Sequence, residues 1–157
     1  MSKKKKKEDY YAWKQHLDNT KEIKIYSLKR LDLLIISISG AGIFIIFETL
    51  REFKTNNIEI ESSMIIFLSG LSLMLAIISN FFSQRTGYNA NRYEEKYTNI
   101  QLRKIKGKDI DIFKEEKCNE KVKLYNKLTE RLNVVSIGFM ILGLILLTTF
   151  YYMFMFS

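Results

Sequence analysis

Very few side chains in this sequence have the type and spacing that chemistry needs. It has one histidine, His16, and one cysteine, Cys118, about a hundred positions apart. No nucleophile stands beside a base, and no P-loop, CxxC, HExxH or glycine-rich fingerprint is present. Catalysis is therefore not expected, and neither a metal nor a cofactor is implied. His16 reads as a solvated side chain of a polar helix, and Cys118 as a small apolar residue of a helix interface.

Two constellations remain. Ser62, Ser69, Ser72, Ala76, Ser79 or Asn80, and Ser83 recur at steps of three, four or seven, an arc of about 100° on one helix face opposite Leu, Ile, Phe and Met. In lipid such a hydroxyl stripe has two readings. It packs closely against another helix, with interhelical hydrogen bonds of about 0.6 kcal/mol each, or it faces inward in an oligomer and wets a pore. The second constellation is Arg85, Arg92, Lys96 and Arg103, at steps of seven, four and seven, with Tyr93 and Tyr97 adjacent. It reads either as a headgroup contact plus salt bridges to Glu115, Glu116 and Glu120, or as an anion site in which guanidinium groups hold phosphate and a tyrosine stacks on a base.

The elements that carry these residues follow from where the charges are missing. Residues 62–84 hold no charge over a length of roughly 34 Å as helix, which matches the hydrocarbon core of a bilayer. A second uncharged run covers 132–157, with Gly138 and Gly143 available for close packing and an aromatic end, FYYMFMFS, suited to the interfacial belt. The run Leu33–Phe47 is shorter, but a helix over 32–50 places Asp32 and Glu48 at the two headgroup levels. Its SISGAG cluster would admit a neighbouring helix.

Between the runs the sequence is dense in charge. Residues 1–9 read as a solvated basic tail and 10–31 as an amphipathic helix with Tyr10, Trp13, Leu17, Ile23 and Tyr26 on one face, lying on the bilayer or packing on the connection described next. Residues 51–61 form a short loop. Residues 85–131 are too long for a turn and too charged for lipid. Tyr93, Tyr97 and Ile100 make one apolar edge there, Cys118, Val122, Tyr125 and Leu132 another, and KGKD at 106–109 marks the turn. The expected fold is an all-α membrane protein: three transmembrane helices, a cytoplasmic antiparallel helical hairpin continuous with the second and third spans, and an N-terminal amphipathic helix.

Charge asymmetry sets the orientation. Ten Lys or Arg precede the first span, thirteen lie between Arg85 and Arg131, and the short loop has only Arg51 and Lys54. The N-terminus and 85–131 are thus expected in the cytoplasm of an inner-membrane protein, with the C-terminus outside. The net charge of +8 belongs to this topology signal and to headgroup contact, not to specific nucleic-acid binding.

The text LSLMLAIISNFFSQRTGYNANRYEEKYTNI, a span passing directly into an Arg/Tyr/Glu-rich helix, with IYSLKRLDLLIISISG upstream, resembles the SLATT membrane domains over roughly residues 10–105. That resemblance implies a small pore-forming effector of bacterial conflict systems, triggered by a nucleotide signal or a sensor partner. It carries no catalytic residue over, and the third span departs from the two-span plan of those domains. The expected function is an oligomeric inner-membrane effector that forms or gates a pore in response to a cytoplasmic ligand or partner. Two other readings stay open: a non-conducting membrane subunit that anchors a soluble enzyme, and a holin-like lysis protein.

Overall fold

A computed structural model of the chain describes residues 3–56, 63–105, 109 and 111–156, and of the side chains before Lys29 only Gln15, Glu22 and Tyr26. Three helices account for nearly all of it: α1 (Lys3–Thr55), α2 (Ser63–Ile105) and α3 (Ile112–Phe156). Each contains a stretch long and apolar enough to cross a membrane, within Lys29–Thr55, Met64–Gln101 and Ile112–Phe156. The protein is all-helical and multi-pass in character.

The absence of proline explains why the helices run so far. Between Lys3 and Ser39 there is neither Pro nor Gly, and the helix assignment continues through both the expected tail at 3–9 and the expected boundary at 31–32. The amphipathic face proposed for 10–31 rests on Tyr10, Trp13, Leu17 and Ile23, whose side chains lie outside the described residues, as do His16, Ser62, 57–62 of the short loop and 106–108 of the turn. α2 and α3 each pass from span to charged arm without a break, as the sequence leads one to expect. Asp111 begins α3 as its N-cap, its Oδ1 accepting from the Lys114 N–H at 3.1 Å.

The chain divides into two units, Met1–Leu34 and Ile35–Ser157. In the first, the Arg30 guanidinium lies 5.7 Å from the Tyr26 ring centroid, one turn away along the helix. In the second, the C-terminal part of α1 packs with α2 and α3. Its buried positions, Ile35, Ser39, Gly42, Ile46, Thr49 and Phe53, alternate steps of four and three. So do Ile66, Ser69, Leu73, Ala76, Asn80 and Ser83 of α2, the 3–4 pattern that keeps one stripe of a helix against its neighbours. Outside the stripes, Phe44, Phe47, Phe67, Phe81, Val134 and Ile145 are exposed, which suits a lipid-facing surface.

At the end of the spans where α1 and α3 finish, Phe53 stacks near Phe150 and Phe154 at 6.2 and 5.1 Å between centroids. The Thr49 hydroxyl and the Tyr151 phenol are hydrogen-bonded at 2.5 Å. The aromatic tail is thus shared: Phe150 is buried inside the bundle, while Tyr152, Met155 and Phe156 face outward.

Candidate functional site

The hydroxyl stripe of α2 faces α3. Ser69, Ser72, Ala76, Asn80 and Ser83 are buried, and Ser79, at the edge of the arc, is half-buried. The Ser69 hydroxyl donates to the Gly143 carbonyl at 2.8 Å, and Ser72 donates to the Phe139 carbonyl at 2.9 Å. From the other side Ser136 donates to the Ala76 carbonyl at 2.9 Å. Ser83 has two acceptors, the Thr129 carbonyl at 3.2 Å and Asn133 Oδ1 at 2.5 Å, and its one proton serves one of them at a time.

A helix carbonyl already bonded along its own helix keeps a second lone pair. A serine on a facing helix reaches that lone pair only if the backbones come close, which small residues allow. Four such links at about 0.6 kcal/mol each contribute roughly 2 kcal/mol to the α2–α3 pairing. The same layer continues past the span, where the Thr86 and Thr129 hydroxyls are 2.8 Å apart, and within α2 Gln84 donates to Asn80 Oδ1 at 2.9 Å.

Leu73 is the central apolar residue of this seam. It is fully buried between two glycines: a Cβ at Gly42 of α1 would come within 2.6 Å of its Cδ1, and one at Gly143 of α3 within 2.7 Å of its Cγ. Of the glycines expected to admit a neighbour, these two do. A Cβ on Gly40 or Gly138 would meet nothing within 4 Å. One polar group on the α1 side of the bundle lacks a partner: the Ser39 hydroxyl is fully buried and makes no hydrogen bond.

The basic row and the tyrosines part company. Arg85, Arg92, Lys96 and Arg103 are all exposed, whereas Tyr93 and Tyr97 are half-buried on the side of α2 toward α3. Tyr93 stacks on Tyr125 with centroids 5.6 Å apart and planes 13° from parallel. One face of the Tyr93 ring is thereby occupied within the molecule. Among the described residues no carboxylate is within ion-pair distance of the four cations, and Glu115 accepts from Gln101 at 2.5 Å. Arg85 lies over Tyr88 at 5.8 Å and Lys96 over Tyr93 at 5.2 Å. Arg103 lines a recess of about 380 Å³ with Ile100, Asp109, Asp111 and Lys114. The apolar edges of the arms are placed as the spacing suggests, with Cys118 and Val122 buried and Tyr97, Ile100, Tyr125 and Leu132 half-buried.

Comparison with family models, with curated proteins and with solved structures finds no match. The functional reading therefore rests on the geometry.

Sequence reasoning picked out Gly143 for close packing but missed the polar residues of the α3 half of the seam. Thr129, Asn133, Ser136 and Gly143 repeat at steps of four, three and seven and form the complement of the α2 stripe. A search for a second small or polar stripe of matching period would have found it.

Proposed function

We propose that the chain is an inner-membrane anchor whose two helical arms stand in the cytoplasm and dock an anionic partner or ligand. The N-terminus is on the same side and the C-terminus outside. The observation that carries this reading is the change in how α2 uses its polar residues. Up to Ser83 they turn toward α3 and are satisfied there; beyond it the cations turn outward, with no acidic partner among the described residues. Exposed cations left unpaired along one row are free to recognise a partner of opposite charge. The orientation is supported by the strong excess of Lys and Arg on both sides of the short loop.

A pore made by copies of this chain is the weaker reading, because the hydroxyls that would wet it donate to carbonyls of the same molecule. The resemblance to SLATT domains suggests a bacterial conflict system as the setting for the partner, and the proposal does not depend on it.

The test uses the full chain in proteoliposomes and in its native membrane. We expect no potassium leak from the vesicles, and a cross-linked soluble partner that is lost on Arg92→Glu with Arg103→Glu. A leak by the purified chain alone that Ser72→Leu abolishes would overturn the anchoring reading in favour of a pore.

A further inference from the structure

Tyr93 is held at the junction of the arms by its stack on Tyr125, and two ammonium groups lie over its ring. Lys96 Nζ comes from its own helix at 5.2 Å from the centroid, and Lys121 Nζ comes from α3 at 5.5 Å. The two nitrogens are no farther apart than those two legs together allow. Arg92, one turn before Lys96 on the exposed row, adds a third positive charge at a spacing where like charges repel. Glu94, Glu95, Glu116 and Glu120 belong to the same stretch of the arms, yet none is within ion-pair distance of either lysine.

Resting on the reading that the arms stand in water, we propose that Lys96 and Lys121, set on Tyr93, form a seat for a soluble phosphate-bearing dianion. The ring face attracts both ammoniums but leaves their mutual repulsion in place, and an anion between them removes it. Phosphate oxygens are about 2.5 Å apart, so two charge-assisted hydrogen bonds of about 2.8 Å bridge nitrogens up to roughly 8 Å from each other, which covers most of the separations that the two legs allow.

Two other ligands are disfavoured by position. Lys96 is eleven residues beyond Arg85, about 16 Å along the helix axis past the end of the span, whereas the headgroup layer is only about 6 Å deep. A nucleobase would need a free face of the Tyr93 ring, and that ring already carries Tyr125 and the two ammoniums. The anion is therefore soluble and is recognised through phosphate.

The experiment titrates the full chain in nanodiscs with sodium pyrophosphate by calorimetry at low salt. Saturable binding is expected, weakened about tenfold by Lys121→Gln and again by Lys96→Gln, and unchanged by Lys127→Gln, an exposed cation of α3 outside both the seat and the basic row. Equal binding by wild type and both lysine variants would overturn the seat, and equal binding of succinate would overturn its phosphate preference. Binding should be the same in discs of neutral lipid and in discs containing phosphatidylglycerol; competition by the anionic lipid would assign the lysines to headgroups. Labelling of Lys121 by a membrane-impermeant amine reagent in inverted vesicles separates the two proposals. If it labels while pyrophosphate does not bind, the seat alone fails; if it labels only from the other face, the orientation fails with it.

Discussion

Replacing Gly143 by alanine tests the packing of the spans at its tightest point. The added Cβ would stand 2.7 Å from both Cγ and Cδ2 of Leu73 and 3.3 Å from its backbone nitrogen, where carbon atoms in contact prefer about 3.5–4 Å. A rotation about χ2 moves Cδ2 but leaves Cγ in place, a change of χ1 would have to swing the whole side chain within a fully buried site, and the nitrogen stays fixed in either case, so relief requires α3 to move away from α2. Overpacking of this kind costs about 1–3 kcal/mol, against up to about 1 kcal/mol returned by exchanging Gly for Ala in a helix. Displacing α3 also lengthens the Ser69 bond to the Gly143 carbonyl, about 0.6 kcal/mol more. The net expectation is a loss of about 1–2 kcal/mol, measured by reversible unfolding in mixed detergent micelles. Gly42→Ala is the control: its Cβ clashes only with Cδ1 of Leu73, the next contact being Cγ at 3.8 Å, so a change of rotamer suffices and stability should hardly change. Leu73→Ala alone opens a cavity and destabilises, but in the double variant with Gly143→Ala the clash with Cγ and Cδ2 vanishes and only the 3.3 Å approach to the backbone nitrogen stays. The cycle should show a favourable coupling of about 1 kcal/mol or more. Additive effects, or a Gly143→Ala variant as stable as the parent, would refute the claim that Leu73 is wedged between the two glycines.

Two further outcomes follow from the same structure. Ser69→Ala and Ser136→Ala should each lower stability by about 0.6 kcal/mol in the same assay, and Ser79→Ala by less, since Ser79 is only half-buried at the edge of the stripe. Single cysteines at Thr55 and Asp109, in a Cys118→Ser background, should react with an impermeant maleimide from opposite faces of the membrane; reaction from one face would end the three-span topology.

What could be read without coordinates was whatever depends on one helix at a time. An uncharged run of more than twenty residues has its solvent written into it, and a span followed by a charged stretch without Pro has no local reason to stop being a helix. The partner of a stripe is a different matter. Ser69 and Ser72 announce that something packs there, but hydropathy has no register, so only the structure reveals that Gly143 and Phe139 accept their protons. The separation of the basic row from the tyrosines was available from arithmetic. Tyr93 follows Arg92 and Tyr97 follows Lys96, so each is turned about 100° from the cation before it, whereas Lys96, three places after Tyr93, is only about 60° away and reaches over its ring. The stacking of Tyr93 on Tyr125 and the pairing of Gln101 with Glu115, by contrast, depend on how the two arms are staggered. Nothing local specifies that stagger.

Whether these spans can conduct comes down to where their hydroxyls point. Opening the α2–α3 seam to water would break the four links across it and pull Leu73 out from between Gly42 and Gly143. An oligomer that keeps the seam closed must line its path with the outward faces instead. Among the described residues, those faces within the spans are mostly Leu, Ile, Val, Phe and Met; the polar exceptions are Ser37, Thr148 and Thr149, with Glu48, Gln84 and Tyr152 toward the span ends. Both threonines donate to carbonyls of their own helix, at Leu144 and Ile145. A pore with that lining would shed its water, as a hydrophobic constriction does. Conduction therefore requires the two helices to separate, and a cross-link between Ser72 and Phe139 replaced by cysteines, which would forbid separation, should leave a membrane anchor intact while silencing any channel.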